Sequence, residues 1–447
     1  MPLAFRSNET SPLVEALLTD LGIAPGSFER AIDARDEMLG FLEGAREGDR
    51  EQALFQYFRS GASIADSLGQ VLRWRFGDLG RIGSLLDFAS GYGRVTRFLV
   101  REIPAERVSV ADVYAEGVRF QEERFGVRGI VSSLLPEDFA CGERFDVILV
   151  TSLFTHLPEE RFVAWLRVLL SRLAPGGMLA FSAHSPEVLP SGVEMPSGGF
   201  CFHETSESGS LDKSDYGSTW VTEEFVRSAL ERAGGAGASL RRLDRGLCNF
   251  QDLYLAVLEP EVDFSCLNFH GEPQLSFEGA RLSNGGLRLE GWAAMRCGTA
   301  RQVEALLDGH LLGSVPVDAP RADVARILGS ERYLGSGWLC CCQVPSGSSR
   351  SSAVLLLRVV DGRGVGHPLW AGSLEAAQLV SWRNESARLG GELRHAEAIL
   401  AEERARAALE AAALRARIAA MEASRFWKMR NAWFRFKKRI GLIEDAG

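Results

Sequence analysis

The chain has 447 residues, 46% of them hydrophobic and 24% charged, which excludes a disordered chain and leaves room for two or three folded units. Its formal net charge of −9 argues against a general nucleic-acid binder, and its eight cysteines, which form no C-x-x-C pair, predict reduced thiols and no metal site. The apolar runs are too short to cross a bilayer and the N-terminus lacks the regions of a secretory signal, so we expect a cytoplasmic protein.

The first predicted segment is helical. Residues 10–79 are rich in Leu, Ala, Glu and Arg at helical spacing, and the stretches APGS and EGDR interrupt this pattern. We therefore expect a helical N-terminal segment over residues 1–79.

Residues 80–260 alternate between short β-rich runs and helical stretches. The β-rich runs are LLDFAS, RVSVADV, GIVSS, FDVILVTS, GMLAFSAH and LYLAVLE. Such alternation is typical of βαβ units around a parallel sheet. It predicts an α/β domain with a Rossmann-like, doubly wound sheet.

The pattern changes again after Pro260. Residues 261–375 contain short strands, some joined by Asp-Gly turns, and predict a small all-β sandwich. Residues 376–423 predict a coiled-coil helix, through which two chains could pair, and residues 424–447 a basic amphipathic tail. The heptad positions of the helix are Leu393, Leu400, Ala407, Leu414 and Met421.

The stretch LLDFASGYGRVTRFLV, which begins at Leu85, carries the strongest chemical signal. A strand containing Asp87 runs into a turn with Gly91 and Gly93, and an amphipathic helix follows. This arrangement places a ligand against free N–H groups at the carboxyl edge of a parallel sheet. Asp112 ends the next predicted strand, where its carboxylate can accept hydrogen bonds from both hydroxyls of a ribose.

Two other nucleotide-binding families fit this stretch less well. A dinucleotide-binding dehydrogenase needs a third small residue near position 96, but this chain has Thr96 there. In addition, the Asp87 carboxylate would be poorly placed beside a pyrophosphate. A P-loop is excluded because no Gly-Lys-Ser or Gly-Lys-Thr follows the turn.

The combination of DFASGYGR, VTSLFTHLPEE and LAPGG resembles the class I S-adenosylmethionine-dependent methyltransferases over roughly residues 57–258. The resemblance implies that S-adenosylmethionine is the cofactor and that Asp112 holds its ribose. The methionine end is then held by Asp87 and the turn that contains Ala89, Gly91 and Gly93. An acidic or amide residue often meets the adenine in this family, but here Ser132, Ser133 and Leu134 follow the third strand, and we select Ser133.

Two histidines are candidate general bases for methyl transfer to a hydroxyl. His156 and His184 both follow predicted strands at the edge where the methyl donor should lie. His156 can equally pack against or cap the next helix, so we favour His184 slightly. A base is needed only for a poorly acidic hydroxyl, because the displacement depends largely on alignment.

A long polar insertion, residues 185–216, occupies the place where such enzymes build their acceptor site. Aromatic and hydrogen-bonding side chains in and just after it would suit a sugar ring, and a flexible surface lid has the same composition. Among them we select His203, Asp215 and Tyr216 as substrate-binding residues.

The sequence is also similar to bacterial methyltransferases found with cell-surface polysaccharide assembly, on the phrases YFRSG and SLFTHLPEERFVAWLRVLLSRLAPGG. This resemblance implies O-methylation of a sugar in a glycan or glycolipid precursor. Two alternatives are a small-molecule methyltransferase of secondary metabolism and a non-catalytic scaffold in an envelope glycan complex. The intact Asp87, Gly91, Gly93 and Asp112 favour an enzyme.

The basic tail has two competing interpretations. Phe426, Met429, Trp433, Phe436 and Ile440 recur at alternating intervals of three and four residues, and basic residues lie around them. This pattern predicts peripheral contact with the inner face of a membrane. A dimer seam that continues the coiled coil would have the same pattern.

Overall fold

A computed structural model describes residues 11–440, except 25 and 207, with the side chains of 391 and 392 also excepted. The ends of the predicted N-terminal segment and of the basic tail, residues 1–10 and 441–447, therefore lie outside the described residues. The residues up to Val380 form one compact unit, and those from Ser381 onward form a second.

The N-terminal segment contains three helices: α1 Pro12–Asp20, α2 Glu37–Ala45 and α3 Arg50–Phe76. Each begins at a residue whose side chain accepts a hydrogen bond from a free N–H of the first turn, namely Ser11, Asp36 and Asp49. The predicted helical character of residues 10–79 thus corresponds to these three capped helices.

The described residues next form a seven-stranded sheet in the order β3-β2-β1-β4-β5-β9-β8, in which β1 to β5 are parallel and β9 is antiparallel to both neighbours. Its strands are β1 Leu85–Phe88, β2 Val108–Asp112, β3 Arg128–Val131, β4 Phe145–Val150, β5 Leu173–Ala183, β8 Ser239–Leu247 and β9 Gln251–Val257. The other elements of this region are α4 Thr96–Leu99, α5 Ala115–Phe125, α6 Glu159–Ser171, α7 Glu223–Arg232 and the hairpin β6 Phe200–His203 with β7 Ser218–Val221. This topology confirms the predicted Rossmann-like sheet.

Alternate residues of the central strands pack into two apolar clusters on opposite faces of the sheet. On β1, Leu86 and Phe88 pack with Trp165 of α6, while Leu85 packs with Leu72 of α3. The strands read as continuous apolar runs because both faces are covered, as in other doubly wound sheets.

Antiparallel sheets follow, as predicted. One sheet has the order β10-β11-β14 and the other β13-β12-β15-β16, and they share one apolar core around Leu289, Trp338 and Leu357. The strands are β10 Gln274–Ser283, β11 Gly286–Ala294, β12 Ala300–Leu307, β13 His310–Pro316, β14 Gly337–Gln343, β15 Val354–Asp361 and β16 Gly366–Ser373, with the short helix α8 Ala322–Ile327 before β14.

The N-terminal helices pack against this β region as well as against the α/β sheet. Arg358 of β15 donates a hydrogen bond to Asp20 at the end of α1 (2.5 Å), and the Gln52 amide of α3 donates to the Ala371 carbonyl of β16 (2.8 Å). The domain boundaries predicted at residues 79, 260, 375 and 423 remain predictions. The residues on either side of the first three boundaries are in contact and belong to one compact unit.

Two helices end the described chain, α9 Leu374–Ala423 and α10 Arg425–Arg439. Leu374 and Ala377 are buried in the core of the antiparallel sheets, whereas Leu393 and Leu414 are 61% and 60% exposed. Pairing of two chains through the predicted coiled coil stays a prediction. Among the described residues, none of the helices has a stretch that is both long and apolar enough to span a bilayer.

One buried cation ties the N-terminal segment to the turn after β1. The guanidinium of Arg97 donates hydrogen bonds to four main-chain carbonyls, those of Gly93 (3.0 Å), Ala31 (3.1 Å), Glu29 (3.3 Å) and Tyr92 (3.4 Å). The residue is 1% exposed. Its guanidinium carbon lies 5.2–5.5 Å from three ring centroids, those of Tyr57, Phe58 and Phe125.

We expect Arg97→Met to lower the free energy of unfolding by about 2–5 kcal/mol, because it leaves buried carbonyls without donors. Urea unfolding measures the loss. Arg101→Met is the matched control, since Arg101 is exposed and such surface substitutions change stability by about 0.5 kcal/mol or less. Equal stability of the two variants would contradict a structural role for Arg97.

Candidate functional site

A cavity of about 270 Å³ opens at the carboxyl edge of the parallel strands, beside β1 and β4, where the strand order reverses. This reversal is the usual ligand site of doubly wound sheets. The segments that follow β1, β2, β3 and β4 line its floor and walls. The principal lining residues from these segments are Phe88, Ala89, Gly91, Asp112, Tyr114, Ser132, Ser133, Leu134, Ser152 and His156.

The turn after β1 needs its glycines for two different reasons. Gly91 and Gly93 both have positive φ angles, 57° and 78°, which residues with a Cβ rarely adopt. A Cβ at Gly93 would lie 2.3 Å from the ring of Phe125, whereas a Cβ at Gly91 would meet no protein atom within 4 Å. Gly93 therefore permits packing, and Gly91 leaves open space along the cavity. Ala89, with φ of 58°, also lines the cavity.

Asp112 fixes the turn and faces the cavity. Its carboxylate accepts hydrogen bonds from the N–H of Gly91 (2.7 Å) and from the N–H of Tyr114 (3.0 Å). Burial raises the pKa of this carboxyl, and the hydrogen bonds partly offset that rise. Each carboxylate oxygen can accept further hydrogen bonds, so Asp112 can hold hydroxyl groups of a ligand while it shapes the turn.

Asp87 lies below the turn, outside the residues that line the cavity in the described structure. It is hydrogen bonded to the Thr96 hydroxyl at 2.7 Å, and its other oxygen has no hydrogen-bond partner among the described residues. Burial, reinforced by the nearby Asp112, raises its pKa to about 6. Gln121 connects this layer to the turn, because its amide donates to the Gly91 carbonyl (2.9 Å) and accepts from Thr96 (2.8 Å).

The two serines after β3 have different environments. Ser133, which we selected from the sequence, lines the cavity, but its hydroxyl donates to the Leu135 carbonyl. The hydroxyl of Ser132 is buried at the cavity and has no hydrogen-bond partner among the described residues. A buried hydroxyl without a partner is costly, so Ser132 is the better candidate for contact with a ligand.

His156 lies in the cavity wall and is held there by Gly217, the residue before β7. Its Nδ1 is 2.7 Å from the Gly217 carbonyl, its own carbonyl accepts from the Gly217 N–H (2.8 Å), and its ring stacks on Tyr216 with centroids 4.3 Å apart. The hairpin strand β7 was absent from the sequence-based prediction. This position of His156 is therefore a finding of the structure.

His184 has a different position from the one we expected. It follows β5, but its ring packs against Trp220 and Phe250, and it is not among the described residues that line the cavity. Both ring nitrogens are buried without hydrogen-bond partners among the described residues, and burial lowers its pKa to about 4. The structure thus brings His156, but not His184, to the cavity.

Part of the insertion covers the cavity. Asp215 and Tyr216 line it, as do Leu211 and Asp212, whereas His203 packs against Trp220 away from it. Arg161 of α6 also lines the cavity, pairs with Asp215 (3.2 Å) and donates to the Leu134 carbonyl (2.7 Å). Of the three predicted substrate residues, the structure therefore places two together.

The N-terminal segment supplies the rest of the cover, which the sequence analysis did not anticipate. Asp36, Glu37, Met38 and Phe41, at the start of α2, line the cavity. Asp36 accepts a hydrogen bond from the buried Tyr57 hydroxyl at 2.6 Å, and the Ser210 hydroxyl of the insertion donates to Glu37 at 2.8 Å. The available signal in the sequence was the stretch DEMLGF, which predicts a capped helix but not its position in the fold.

No group of three or more His, Cys, Asp or Glu side chains in the described ranges is arranged to hold a metal ion.

We expect the pH dependence of stability to reveal the buried Asp87. Its pKa of about 6 in the folded chain, against an ordinary 3.8, means that the folded state binds a proton more tightly than the unfolded state. The contribution of Asp87 to stability therefore falls as the pH rises from about 4 to about 6, by roughly 3 kcal/mol in total. Asp87→Asn should match wild type near pH 4 and exceed it above pH 6 in urea unfolding of the cofactor-free protein.

Asp138→Asn is the control for this prediction, because Asp138 is exposed and such surface substitutions change stability by about 0.5 kcal/mol or less. A constant difference between Asp87→Asn and wild type across the same range would contradict the raised pKa.

Residues 85–177 match the family model described as a methyltransferase domain. The chain has no match among curated protein sequences. Solved structures with a similar fold include the sugar N-methyltransferase KedS8 from Streptoalloteichus (20% identity, 54% of this chain, 99% of that chain, TM-score 0.36) and DesVI from Streptomyces venezuelae (17%, 51%, 99%, 0.35). A third is an S-adenosylmethionine-dependent methyltransferase from Clostridium acetobutylicum (14%, 51%, 100%, 0.35). At these TM-scores the similarities do not bear on the acceptor of this chain.

The side chains at the cavity fit S-adenosylmethionine. The open space at Gly91 admits a ligand close to the backbone, Asp112 can accept from ribose hydroxyls, and the buried Ser132 hydroxyl lacks a partner among the described residues. Together with the methyltransferase domain at residues 85–177, these features lead to one conclusion: the chain contains a methyltransferase domain whose cavity fits S-adenosylmethionine.

Proposed function

We propose that the enzyme methylates a hydroxyl group of a sugar in a glycan or glycolipid precursor, with His156 as the general base. The observation that carries this proposal is the fixed orientation of His156 in the cavity wall, beside Asp215 and Tyr216.

The hydrogen bond to Gly217 selects one tautomer of His156. A carbonyl oxygen can only accept, so Nδ1 carries the proton and Nε2 of the neutral ring carries a lone pair. Burial lowers the pKa of this imidazole below 6.5, although the Gly217 carbonyl partly opposes the effect. The ring is therefore neutral at pH 7, with Nε2 able to take a proton.

A base of this kind suits a hydroxyl acceptor. When bound, S-adenosylmethionine supplies an electrophilic methyl group, whose transfer to oxygen breaks the carbon–sulfur bond and leaves a neutral thioether. Nε2 of His156 takes up the proton that the hydroxyl loses, so no charged alkoxide has to form first. The hairpin β6–β7 and the Tyr216 ring hold the imidazole in place during this transfer.

The cover of the cavity has the chemistry of a carbohydrate site. Asp36, Glu37, Asp212 and Asp215 supply carboxylates that accept hydrogen bonds from sugar hydroxyls. The 44% exposed Phe41 adds apolar surface to the same lining. Aromatic and carboxylate groups in one lining support binding of a ring that has both apolar faces and polar edges.

The acceptor is tested by incubating the enzyme with S-adenosylmethionine carrying a labelled methyl group and with fractionated envelope glycans and lipid-linked precursors. We expect label in a carbohydrate fraction, in an alkali-stable ether. Label only in free small metabolites would favour a secondary-metabolite enzyme. Cofactor binding without transfer to any fraction would favour a scaffold.

We expect His156→Gln to lower kcat by roughly 10²-fold or more with cofactor affinity little changed, as is usual for loss of a general base. Because the pKa of His156 is lowered, the acid limb of the wild-type kcat profile should lie below pH 6.5 and disappear in the variant. Steady-state kinetics across pH measures both effects.

His184→Gln serves as the comparison for His156→Gln, since His184 lies outside the cavity lining in the described structure. It should keep the acid limb, with thermal unfolding monitored to detect any change in stability. Loss of the acid limb in His184→Gln, and not in His156→Gln, would reverse the assignment of the base.

We expect Asp112→Ala to weaken binding of S-adenosylmethionine and its demethylated product by about 1.5–3 kcal/mol, the usual range for hydrogen bonds to a charged group. Titration calorimetry measures the change, with Asp138→Ala as an exposed carboxylate control. NAD should bind negligibly to the wild type. Unchanged affinity in a folded Asp112→Ala protein would contradict the assigned role.

A further inference from the structure

Helix α10 and its C-terminal cap residue Ile440 have an exposed apolar stripe, which consists of five side chains at intervals of three and four residues. At 3.6 residues per turn these positions fall within an arc of about 80°. All five are more than half exposed: Phe426 (74%), Met429 (70%), Trp433 (56%), Phe436 (53%) and Ile440 (51%). Trp433 and Phe436 stack on each other, with ring centroids 5.9 Å apart.

Basic side chains border the stripe on both sides. By the same helical geometry, Arg425 and Arg439 lie along one edge of the stripe, and Arg430 and Lys437 along the other. Lys437 also lies over the Trp433 ring, 5.4 Å from its centroid. The helix has seven Lys and Arg residues, and no Asp or Glu occurs between Glu422 and Glu444.

We propose that α10 lies flat on the surface of an anionic phospholipid bilayer, with the apolar stripe inserted between headgroups and the flanking basic side chains on lipid phosphates. An apolar stripe with cations on both edges matches the boundary between acyl chains and headgroups. Trp and Phe are suited to this boundary, and Lys and Arg can extend their charged ends back to the headgroups.

Charge complementarity separates this partner from two others. A symmetric pair of α10 helices would bring two sets of seven cations together, with no carboxylate within the helix to compensate. A nucleic-acid backbone would neutralise the cations but would leave the stripe in water. An anionic bilayer satisfies both the charges and the apolar side chains.

The test is sedimentation of the full chain with phosphatidylcholine vesicles that either contain or lack phosphatidylglycerol. Trp433→Ser with Phe436→Ser removes two side chains of the stripe and should weaken binding to the anionic vesicles roughly tenfold or more. The matched control is Trp427→Ser with Phe434→Ser, which removes the same residue types from the opposite side of the helix and should change binding much less. Cofactor affinity should be the same in all these proteins.

A second pair of variants tests the charges. Lys437→Gln with Arg439→Gln should weaken vesicle binding about fivefold for each charge removed, and added salt should weaken wild-type binding through screening. Arg415→Gln with Arg417→Gln removes two charges from α9 instead and should have little effect.

Three results would overturn the proposal. The full chain could fail to sediment with anionic vesicles. Binding to double-stranded DNA in place of the vesicles would contradict the proposal in the same way. The stripe variant and its matched control could lose binding equally. Finally, the stripe variant could convert a dimer into a monomer while vesicle binding stays unchanged, which would make α10 an assembly surface.

Discussion

The buried guanidinium of Arg97 is the constraint on which the site depends. It is a full positive charge solvated by the partial charges of main-chain carbonyls and by aromatic ring faces. Two of those carbonyls belong to the turn after β1 and two to the segment between α1 and α2. One side chain therefore fixes both the floor of the cavity and the segment that begins its cover.

Two carboxyl groups next to the turn after β1 favour a ligand with a positive charge. Asp87 and Asp112 are both buried, which raises the pKa of each carboxyl, and the nearby Asp112 adds to the rise at Asp87. A ligand with a positive charge relieves this repulsion, whereas an anionic pyrophosphate would add to it. The electrostatics thus favour a sulfonium cofactor over a dinucleotide through the same residues that shape the turn.

The predictable parts of the fold and the site are those encoded locally. The parallel strands and the glycine turn could be predicted because burial on both faces produces continuous apolar runs and because glycine adopts positive φ angles readily. Ser132 and Ser133 differ by one position, and the hydrogen bond that occupies Ser133 depends on the loop geometry. His156 and His184 both follow strands, and their different positions depend on long-range hydrogen bonds, of His156 to Gly217 before β7 and of His184 to Val221 within β7. Glu37 reaches the cavity through packing that no local pattern specifies.

The contact between α1 and the antiparallel sheets has a consequence for synthesis of the chain. The hydrogen bond from Arg358 to Asp20 can form only after Arg358 has been synthesised, 338 residues after Asp20. At about 5–20 residues per second the interval is roughly 20–70 s. During this time the apolar residues of α1 that pack with Val354 and Ala371, such as Leu17, lack those partners on the ribosome. The nascent chain therefore has a period in which a chaperone can bind its first helix, and the last β-strands to emerge end it.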